Sequence, residues 1–148
     1  MLVYSFFGHS NCPDSIRQKL KTEIVKLLDN ADDTLMFYVG HQGHFDGMVR
    51  SVMKELIKEG REVHYAVVLA YMPGQRYEFD APNEYADTMF PEGLERVHPK
   101  YAISWRNNWM IEQAQGILCY VKYHTGGAYQ FVEKARRKGK QIINLADM

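Results

Sequence analysis

The sequence predicts a single Rossmann-like α/β domain with three layers, in which a mostly parallel sheet of about five strands carries helices on both faces. Short apolar runs alternate with segments whose apolar residues recur at helical spacing, which is the pattern of βα units. The chain has 148 residues, the usual size of one domain, so residues 1–148 are interpreted as one domain. Its apolar fraction of 46% is that of a globular protein with a core.

The chain begins with two predicted strands that flank a helix. Leu2–Phe7 is a compact apolar run, typical of a buried strand, and it ends at Gly8. Apolar residues at helical spacing predict a helix from about Pro13 to Asp29, with proline in the first turn. Thr34–Val39 is a second buried strand that ends at Gly40.

A second helix and a third strand follow. The helix is indicated by apolar residues with helical period, namely Met48, Val49, Val52, Met53, Leu56 and Ile57. Gly60 is suited to the position after its C-terminus, where a left-handed backbone is common. Val63–Leu69 is rich in valine and predicts a third strand.

The stretch from Tyr71 to about Pro99 differs from the rest because it combines prolines and glycines with many aromatic and charged residues. It predicts a long excursion with a short helical piece near Pro91–Arg96, and a loop of this length in a compact domain is usually functional. The elements predicted after it are a helix at Ala102–Ala114, a strand at Gly116–Val121, a helix at Gly127–Lys138 and a strand at Gln141–Leu145.

In a parallel sheet with right-handed crossovers, the loops after the strands lie along one edge, where ligands bind near the switch in strand order. The loop Gly40–Gly47 lies at that edge and leads into a helix. Its glycines let backbone N–H groups approach a phosphate, and a helix N-terminus favours an anion. Asp46 could bond to a ribose hydroxyl or could cap the helix of a plain turn, and His44 could donate a hydrogen bond to ligand phosphate or sugar.

The loop after the fourth strand is the stronger candidate for a phosphate site. Thr125–Tyr129 combines a hydroxyl with the adjacent Gly126 and Gly127 ahead of a helix, and its alternative interpretation is a Gly-Gly turn. Arg106 could clamp a phosphate in bidentate fashion, or could pair with a carboxylate. The predicted ligand-binding residues are Gly8, His9, Gly40, Gly43, His44, Asp46, Arg106, Asn107, Thr125, Gly126, Gly127, Ala128 and Tyr129.

Metal and thiol chemistry are weaker interpretations of the same edge. His9, His41, His44 and Asp46 could be metal ligands, but a loop gives His-x-x-His no helical register, so no metal site is expected. Cys12 precedes a predicted helix start, where a thiol pKa can fall, but a buried cysteine is the preferred interpretation.

Charge and cysteine usage bear on partners and location. Lys+Arg and Asp+Glu balance at 18 each, which argues against nucleic acid as the partner, because such binding uses a basic surface. The run Arg136–Lys138 is interpreted as a solvated helix face. Two cysteines without a CxxC motif favour a reducing, cytoplasmic setting, and no apolar run approaches membrane-spanning length, so no membrane is expected.

Taken together, these segments resemble the SLOG superfamily (Smf/DprA and LOG-like Rossmannoid proteins), and most closely its small stand-alone bacterial members of the YpsA/DUF1273 type. The resemblance covers nearly the whole chain. The segments that carry it are Gly40–Asp46, which is similar to a glycine-rich segment ending in G-x-D; Arg106-Asn107 with Met110; Gly116–Val121 followed by Thr125-Gly126-Gly127; and Gly139–Asn144, which is similar to a closing G-K-x-[IV] strand.

The resemblance implies a nucleotide-type ligand over the strand ends, and no cofactor beyond such a ligand. We expect a domain that binds or senses a nucleotide-derived molecule such as ADP-ribose, NAD or a mononucleotide. The phosphoribohydrolase branch carries P-G-G-x-G-T-x-x-E, and Glu133 falls at the place of its catalytic Glu, with Tyr129-Gln130 in place of the second Gly-Thr. A nucleotide N-glycosidase with Glu133 or Asp46 as catalytic group is the alternative.

A third hypothesis is a protein-interaction module that uses the aromatic-rich segment Tyr71–Tyr101, since tyrosine and tryptophan are favoured at such surfaces. A homo-oligomer is expected only by analogy, because relatives of this fold often pair through helices.

Overall fold

The computed structural model describes residues 1–71 and 88–148, which form a six-stranded sheet and four α-helices. The strands are β1 (Leu2–Gly8), β2 (Leu35–Val39), β3 (Tyr65–Val68), β4 (Thr88–Met89), β5 (Gly116–Tyr120) and β6 (Gln141–Asn144). The helices are α1 (Arg17–Asn30), α2 (Gly43–Lys58), α3 (Ala102–Gln113) and α4 (Gly127–Arg137). Short 3-10 turns lie at Asp14–Ile16, Leu94–Arg96, Pro99–Tyr101 and Leu145–Asp147.

The strands lie in the order β4-β3-β2-β1-β5-β6, and all neighbouring pairs are parallel. The chain therefore runs outward from β1 through β2 and β3 to β4, then returns to β5 on the other side of β1. This reversal makes the carboxyl ends of β1 and β5 the topological switch point, where the loops that follow the two strands diverge and leave a crevice.

Two apolar clusters hold the helices against the two faces of the sheet. Phe6 belongs to the cluster that contains residues of α1 and α2, whereas Phe7 belongs to the cluster that contains residues of α3 and α4. Because adjacent residues of β1 face opposite sides and both sides are covered, the strand is a continuous apolar run. Its buried polar residue, Ser5, donates a hydrogen bond of 2.8 Å to the carbonyl oxygen of Met110 on α3.

The structure confirms the predicted three-layer fold and its element order. It differs in having a sixth strand: β4 pairs with Val67 and Val68 inside the stretch interpreted as an excursion. Two residues are too few to give a periodic signal, so β4 could not be recognised. The helical piece expected near Pro91–Arg96 is the 3-10 turn Leu94–Arg96.

The aromatic segment proposed as a protein-interaction surface spans 71–101, and its residues 72–87 lie outside the described part of the chain. Across 1–71 and 88–148, no helix is both long enough and apolar enough to cross a membrane.

Candidate functional site: a groove at the switch point

A groove of about 690 Å³ opens at the carboxyl edge of the sheet. The loops after β1, β2 and β5 border it, and α3 and α4 form its walls. The lining residues outside β1 are His9, Ser10, Asn11, Gly40, Gln42, Gly43, Asp46, Ile103, Ser104, Arg106, Asn107, Met110, Tyr123, Thr125, Gly126, Gly127, Ala128, Gln130 and Phe131. The structure thus brings the two predicted glycine loops to one groove.

The start of α4 forms an open cradle at the rim of the groove. Gly126 is the N-cap of α4 and has a φ of 92°, in the left-handed region that favours glycine. A Cβ atom built on Gly126 or Gly127 would meet no other atom within 4 Å. The first N–H groups of a helix have no partner within it and carry the positive end of its dipole, so this exposed surface next to Thr125 attracts anions.

His9 links the loop after β1 to the loop after β5. Its Nε2 atom accepts hydrogen bonds from the backbone N–H groups of Lys122 and Tyr123, each at 3.1 Å. Only a neutral imidazole with its proton on Nδ1 can accept at Nε2. Partial burial lowers the pKa of His9, which favours that neutral form. The predicted site residue His9 therefore lies at the groove with its Nε2 occupied by the protein.

An exposed aromatic ring stands beside the α4 cradle. Tyr123 lines the groove and is 59% exposed, and the Nζ atom of Lys122 lies 5.8 Å from the centroid of its ring. This side chain offers an exposed aromatic surface with an ammonium group over the ring. Sequence reasoning missed Tyr123; the available signal was an aromatic residue in the loop that follows a predicted strand.

Arg106 lies at the floor of the groove and is only 3% exposed. Its Nη1 donates a hydrogen bond of 2.8 Å to the carbonyl oxygen of Val68, and its Nε donates one of 2.7 Å to Oδ1 of Asn107. The guanidinium is therefore engaged with the end of β3 and with its neighbour on α3. These bonds tie α3 to the sheet and limit what Arg106 can offer to a phosphate.

Asp46 lines the groove from the first turn of α2. Its Oδ2 accepts a hydrogen bond of 3.1 Å from the backbone N–H of Gln42, the N-cap residue, so it reaches back to the helix start as a capping group. Burial raises the pKa of Asp46 to about 6, against the opposing effects of Arg106 and the Gln42 N–H. Gln42 also holds a buried side-chain nitrogen, Nε2, with no hydrogen-bond partner in the described residues.

Glycines at this edge permit close packing. A Cβ atom on Gly8 would lie 2.3 Å from the ring of Phe45, so this predicted ligand-binding glycine makes room for α2. A Cβ on Gly43, whose φ is 86°, would lie 2.9 Å from the Cα of Ser10. These glycines bring the loops after β1 and β2 together and so shape one side of the groove.

Three predicted site residues do not line the groove. Nε2 of His44 lies 2.6 Å from Oδ1 of Asp14, on the outer side of α2. The ring of Tyr129 stacks on His124, with centroids 5.3 Å apart. Glu133, the carboxylate predicted for catalysis, instead accepts a hydrogen bond of 2.8 Å from Nε of Arg136 one turn further along α4. Their side chains take part in contacts elsewhere, because helix phase turns them away from the groove.

Local contacts bear on the histidine and cysteine hypotheses. His41 accepts a hydrogen bond of 3.2 Å from the Ala70 N–H, and burial together with Arg106 and Arg50 lowers its pKa to about 3. No group of three His, Cys, Asp or Glu side chains within 1–71 and 88–148 could hold a metal ion. Burial and Asp14 raise the pKa of Cys12 to about 11, opposite to an activated thiol.

The fold is similar to that of DNA processing protein A. The chain matches the X-ray structure of DprA from Streptococcus pneumoniae with a TM-score of 0.66 and 13% identity, over 97% of this chain and 50% of that one. It matches a structure described as showing the single-stranded DNA binding mode of DprA from Helicobacter pylori with a TM-score of 0.59 and 12% identity, over 97% of this chain and 64% of that one.

The chain thus spans half to about two thirds of the length of these proteins, and at such identities the likeness shows the fold alone. It agrees with the resemblance to the SLOG superfamily. No protein-family model matches the chain, and no curated protein matches it in sequence.

The comparison corrects two expectations. The prediction of a small nucleotide-like ligand is wrong, and so is the prediction that nucleic acid is not a partner, because the two solved structures described above are DNA processing proteins, one of them described by its single-stranded DNA binding mode. Net charge is a poor guide here because it averages the whole surface, whereas the positive end of α4 lines the groove and the Lys122 ammonium lies over the ring of Tyr123, which also lines it. The chain has the fold of the DprA proteins.

Proposed function

We propose that the groove binds single-stranded nucleic acid, with a backbone phosphate at the start of α4 and an unpaired base against Tyr123. The observation that carries this proposal is the position of the open Gly126-Gly127 cradle next to an exposed tyrosine ring in one groove. A strand of nucleic acid repeats these two groups, a phosphate and a flat base, at every nucleotide.

Three kinds of donor are available to the phosphate. The first N–H groups of α4 are open at Gly127 and Ala128, the Thr125 hydroxyl is exposed beside them, and the Lys122 ammonium lies across the ring of Tyr123. Contacts of this type position a nucleic-acid backbone and are independent of its base sequence. We therefore expect weak sequence preference.

The base contact favours a single strand. Stacking on an aromatic side chain tolerates every base, because every base has a π-face, and it is worth about 1–3 kcal/mol per base. A base inside a duplex has both faces covered by its neighbours and is not free to stack on Tyr123. A groove of about 690 Å³ has room for nucleotides of one strand.

The other predicted groove residues are assigned supporting roles in this proposal. Gly8, Gly40 and Gly43 allow the loops and side chains to pack closely, while Asp46 caps the start of α2 and Arg106 ties α3 to the end of β3. Asn107 orients the guanidinium through its Oδ1. The bound nucleic-acid strand then contacts chiefly the α4 cradle and the Lys122-Tyr123 segment.

We also propose that the chain is a small member of the SLOG superfamily of the YpsA/DUF1273 type. The support is that Gly40–Asp46, Arg106-Asn107 and Thr125-Gly126-Gly127, the segments that carry the resemblance, all contribute to the lining of one groove.

Fluorescence anisotropy tests the binding proposal. A labelled oligothymidylate of about twelve nucleotides, within the site sizes of single-strand binding folds, is titrated with the chain. A duplex of the same length and free thymidine monophosphate are the competitors. Binding of the single strand, with weak competition by both, is expected.

The variant Gly127→Val tests whether the bound strand places a phosphate at the start of α4. Because a Cβ at Gly127 meets nothing within 4 Å, the variant is expected to fold, while its branched side chain fills the cradle; affinity should fall about tenfold, near 1.4 kcal/mol. Gly47→Val on α2, where a Cβ would meet only Arg50 Nη2 at 3.5 Å, is the control. Equal affinity for the duplex, or unchanged affinity in Gly127→Val, would refute the proposal.

A further inference from the structure

We infer that His9 is a positioning residue of the groove, which holds the Lys122-Tyr123 segment so that the ring of Tyr123 faces the bound strand. The inference rests on the proposed function and names a residue that acts through another. Its basis is a pair of hydrogen bonds that join the carboxyl ends of two strands across the switch point.

His9 follows β1 directly and is the partner in these hydrogen bonds that is held by the sheet. β1 lies in the middle of the sheet and pairs with both β2 and β5, and the His9 N–H continues the ladder with a bond of 3.1 Å to the Tyr120 carbonyl oxygen. The chain beyond Tyr120 leaves the sheet, and residues 122–127 are exposed. The imidazole therefore ties an exposed loop to an interior strand of the sheet.

The ring of His9 also supports the side chain that it positions. Its centroid lies 5.4 Å from that of Tyr123, with the planes tilted by 39°, and 6.0 Å from that of Tyr120, edge to face. Tyr123 nevertheless remains 59% exposed. The ring thus lies beside His9 and under the Lys122 ammonium, and its exposed part is the surface that a base can contact.

Protonation would break this arrangement. A hydrogen on Nε2 would point at two backbone N–H donors, and both hydrogen bonds would be lost. The titratable residues in contact with the ring are Tyr120 and Tyr123, through their own rings, and Lys122, through its backbone N–H, and none of these is a carboxylate that would favour a charged imidazole.

Acidification should therefore weaken single-strand binding. A histidine that contacted phosphate directly would show the opposite trend, because its charged form attracts the anion. The sign of the pH dependence thus separates a positioning role from a direct contact.

The test measures anisotropy with the same oligothymidylate from about pH 8 to about pH 5, which brackets ordinary histidine titration. His9→Ala removes the acceptor and should weaken binding about tenfold at neutral pH, the size expected for the loss of two hydrogen bonds. His9→Gln places an amide oxygen near the position of Nε2 without a titrating group. It should recover most of the affinity and lose the pH dependence. His64→Gln, just before β3 at the opposite edge, should keep the wild-type profile.

Amide hydrogen exchange of Lys122 and Tyr123 gives a second readout that needs no DNA. Protection should fall in His9→Ala and return in His9→Gln. Wild-type affinity and protection in His9→Ala would overturn the inference, as would binding that strengthens on acidification only when His9 is present. A wild-type chain that binds no single strand at any pH would instead refute the proposed function.

Discussion

The guanidinium of Arg106 and the carboxylate of Asp46 close over Gly40 from helices on opposite faces of the sheet. A Cβ atom at Gly40 would lie 2.6 Å from Asp46 Oδ2 and 3.3 Å from Arg106 Nη1. The bare backbone at the end of β2 therefore allows α2 and α3 to place polar side chains together at the floor of the groove. This packing gives the groove its shape.

Gly40→Ala should destabilise the domain by about 1–3 kcal/mol, because the added methyl group forces Asp46 or Arg106 out of place. Urea denaturation measures the free energy of unfolding. Gly127→Ala, with an added methyl group in open space, is the control and should leave stability unchanged or slightly raised. Equal free energies of unfolding for Gly40→Ala and Gly127→Ala would contradict this prediction, because Asp46 and Arg106 would then accommodate the methyl group without cost.

Arg106→Met should lower the free energy of unfolding by about 2–4 kcal/mol, because the Val68 carbonyl loses its donor and the Asp46 carboxylate loses a neighbouring cation. Arg137→Met at the exposed end of α4 is the control and should change stability by less than about 0.5 kcal/mol. Equal effects in the two variants would mean that the guanidinium contributes no more than a surface charge.

Asp46 should make stability depend on pH between about 4 and 6. Its folded pKa is raised to about 6, so the folded state holds the proton more tightly than the unfolded state, and stability falls as pH rises through this range. The free energy of unfolding of Asp46→Asn relative to the wild type should therefore rise from pH 4 to pH 7, on the order of 2 kcal/mol. Both proteins carry the same histidines, whose contributions cancel. If the difference in free energy of unfolding between Asp46→Asn and the wild type is the same at every pH, the raised pKa of Asp46 is contradicted.

Neither cysteine should react readily in the native state. Burial raises the pKa of Cys12 to about 11 and that of Cys119 to about 12, and both thiols are buried. A disulfide reagent that reports thiolate should therefore react slowly with the folded chain at pH 8 and rapidly with both thiols in urea. Rapid reaction of either thiol in the native chain would contradict this prediction, and at Cys12 it would place a reactive cysteine just before the Asp14–Ile16 turn.

The element order could be predicted because apolar periodicity is a local property of the sequence. The helical spacing from Met48 to Leu56 and the apolar runs of β1 and β5 survive in the structure with small shifts at their ends. Knowing that the sheet is parallel was then sufficient to place Gly40 and Gly126 at one edge. The fold and the location of the groove thus follow from local patterns.

The roles of individual side chains depended on contacts distant in sequence. His9 and Tyr123 are 114 positions apart, so nothing near either residue indicates that one positions the other. The spacing that matched Glu133 to a catalytic motif could not reveal that helix phase pairs it with Arg136. For Arg106, burial at the end of β3 decides between a phosphate clamp and a structural donor, and that burial depends on the packing of α3.

The most direct test of single-strand binding at the switch-point groove is a nuclear magnetic resonance titration of the isotope-labelled chain with oligothymidylate. The account predicts that the largest amide shifts occur at Tyr123, Gly126 and Gly127, and that they saturate together. Shifts concentrated at the amino edge of the sheet, around Asp33 and His64, or no shifts at any amide at millimolar oligothymidylate, would contradict it.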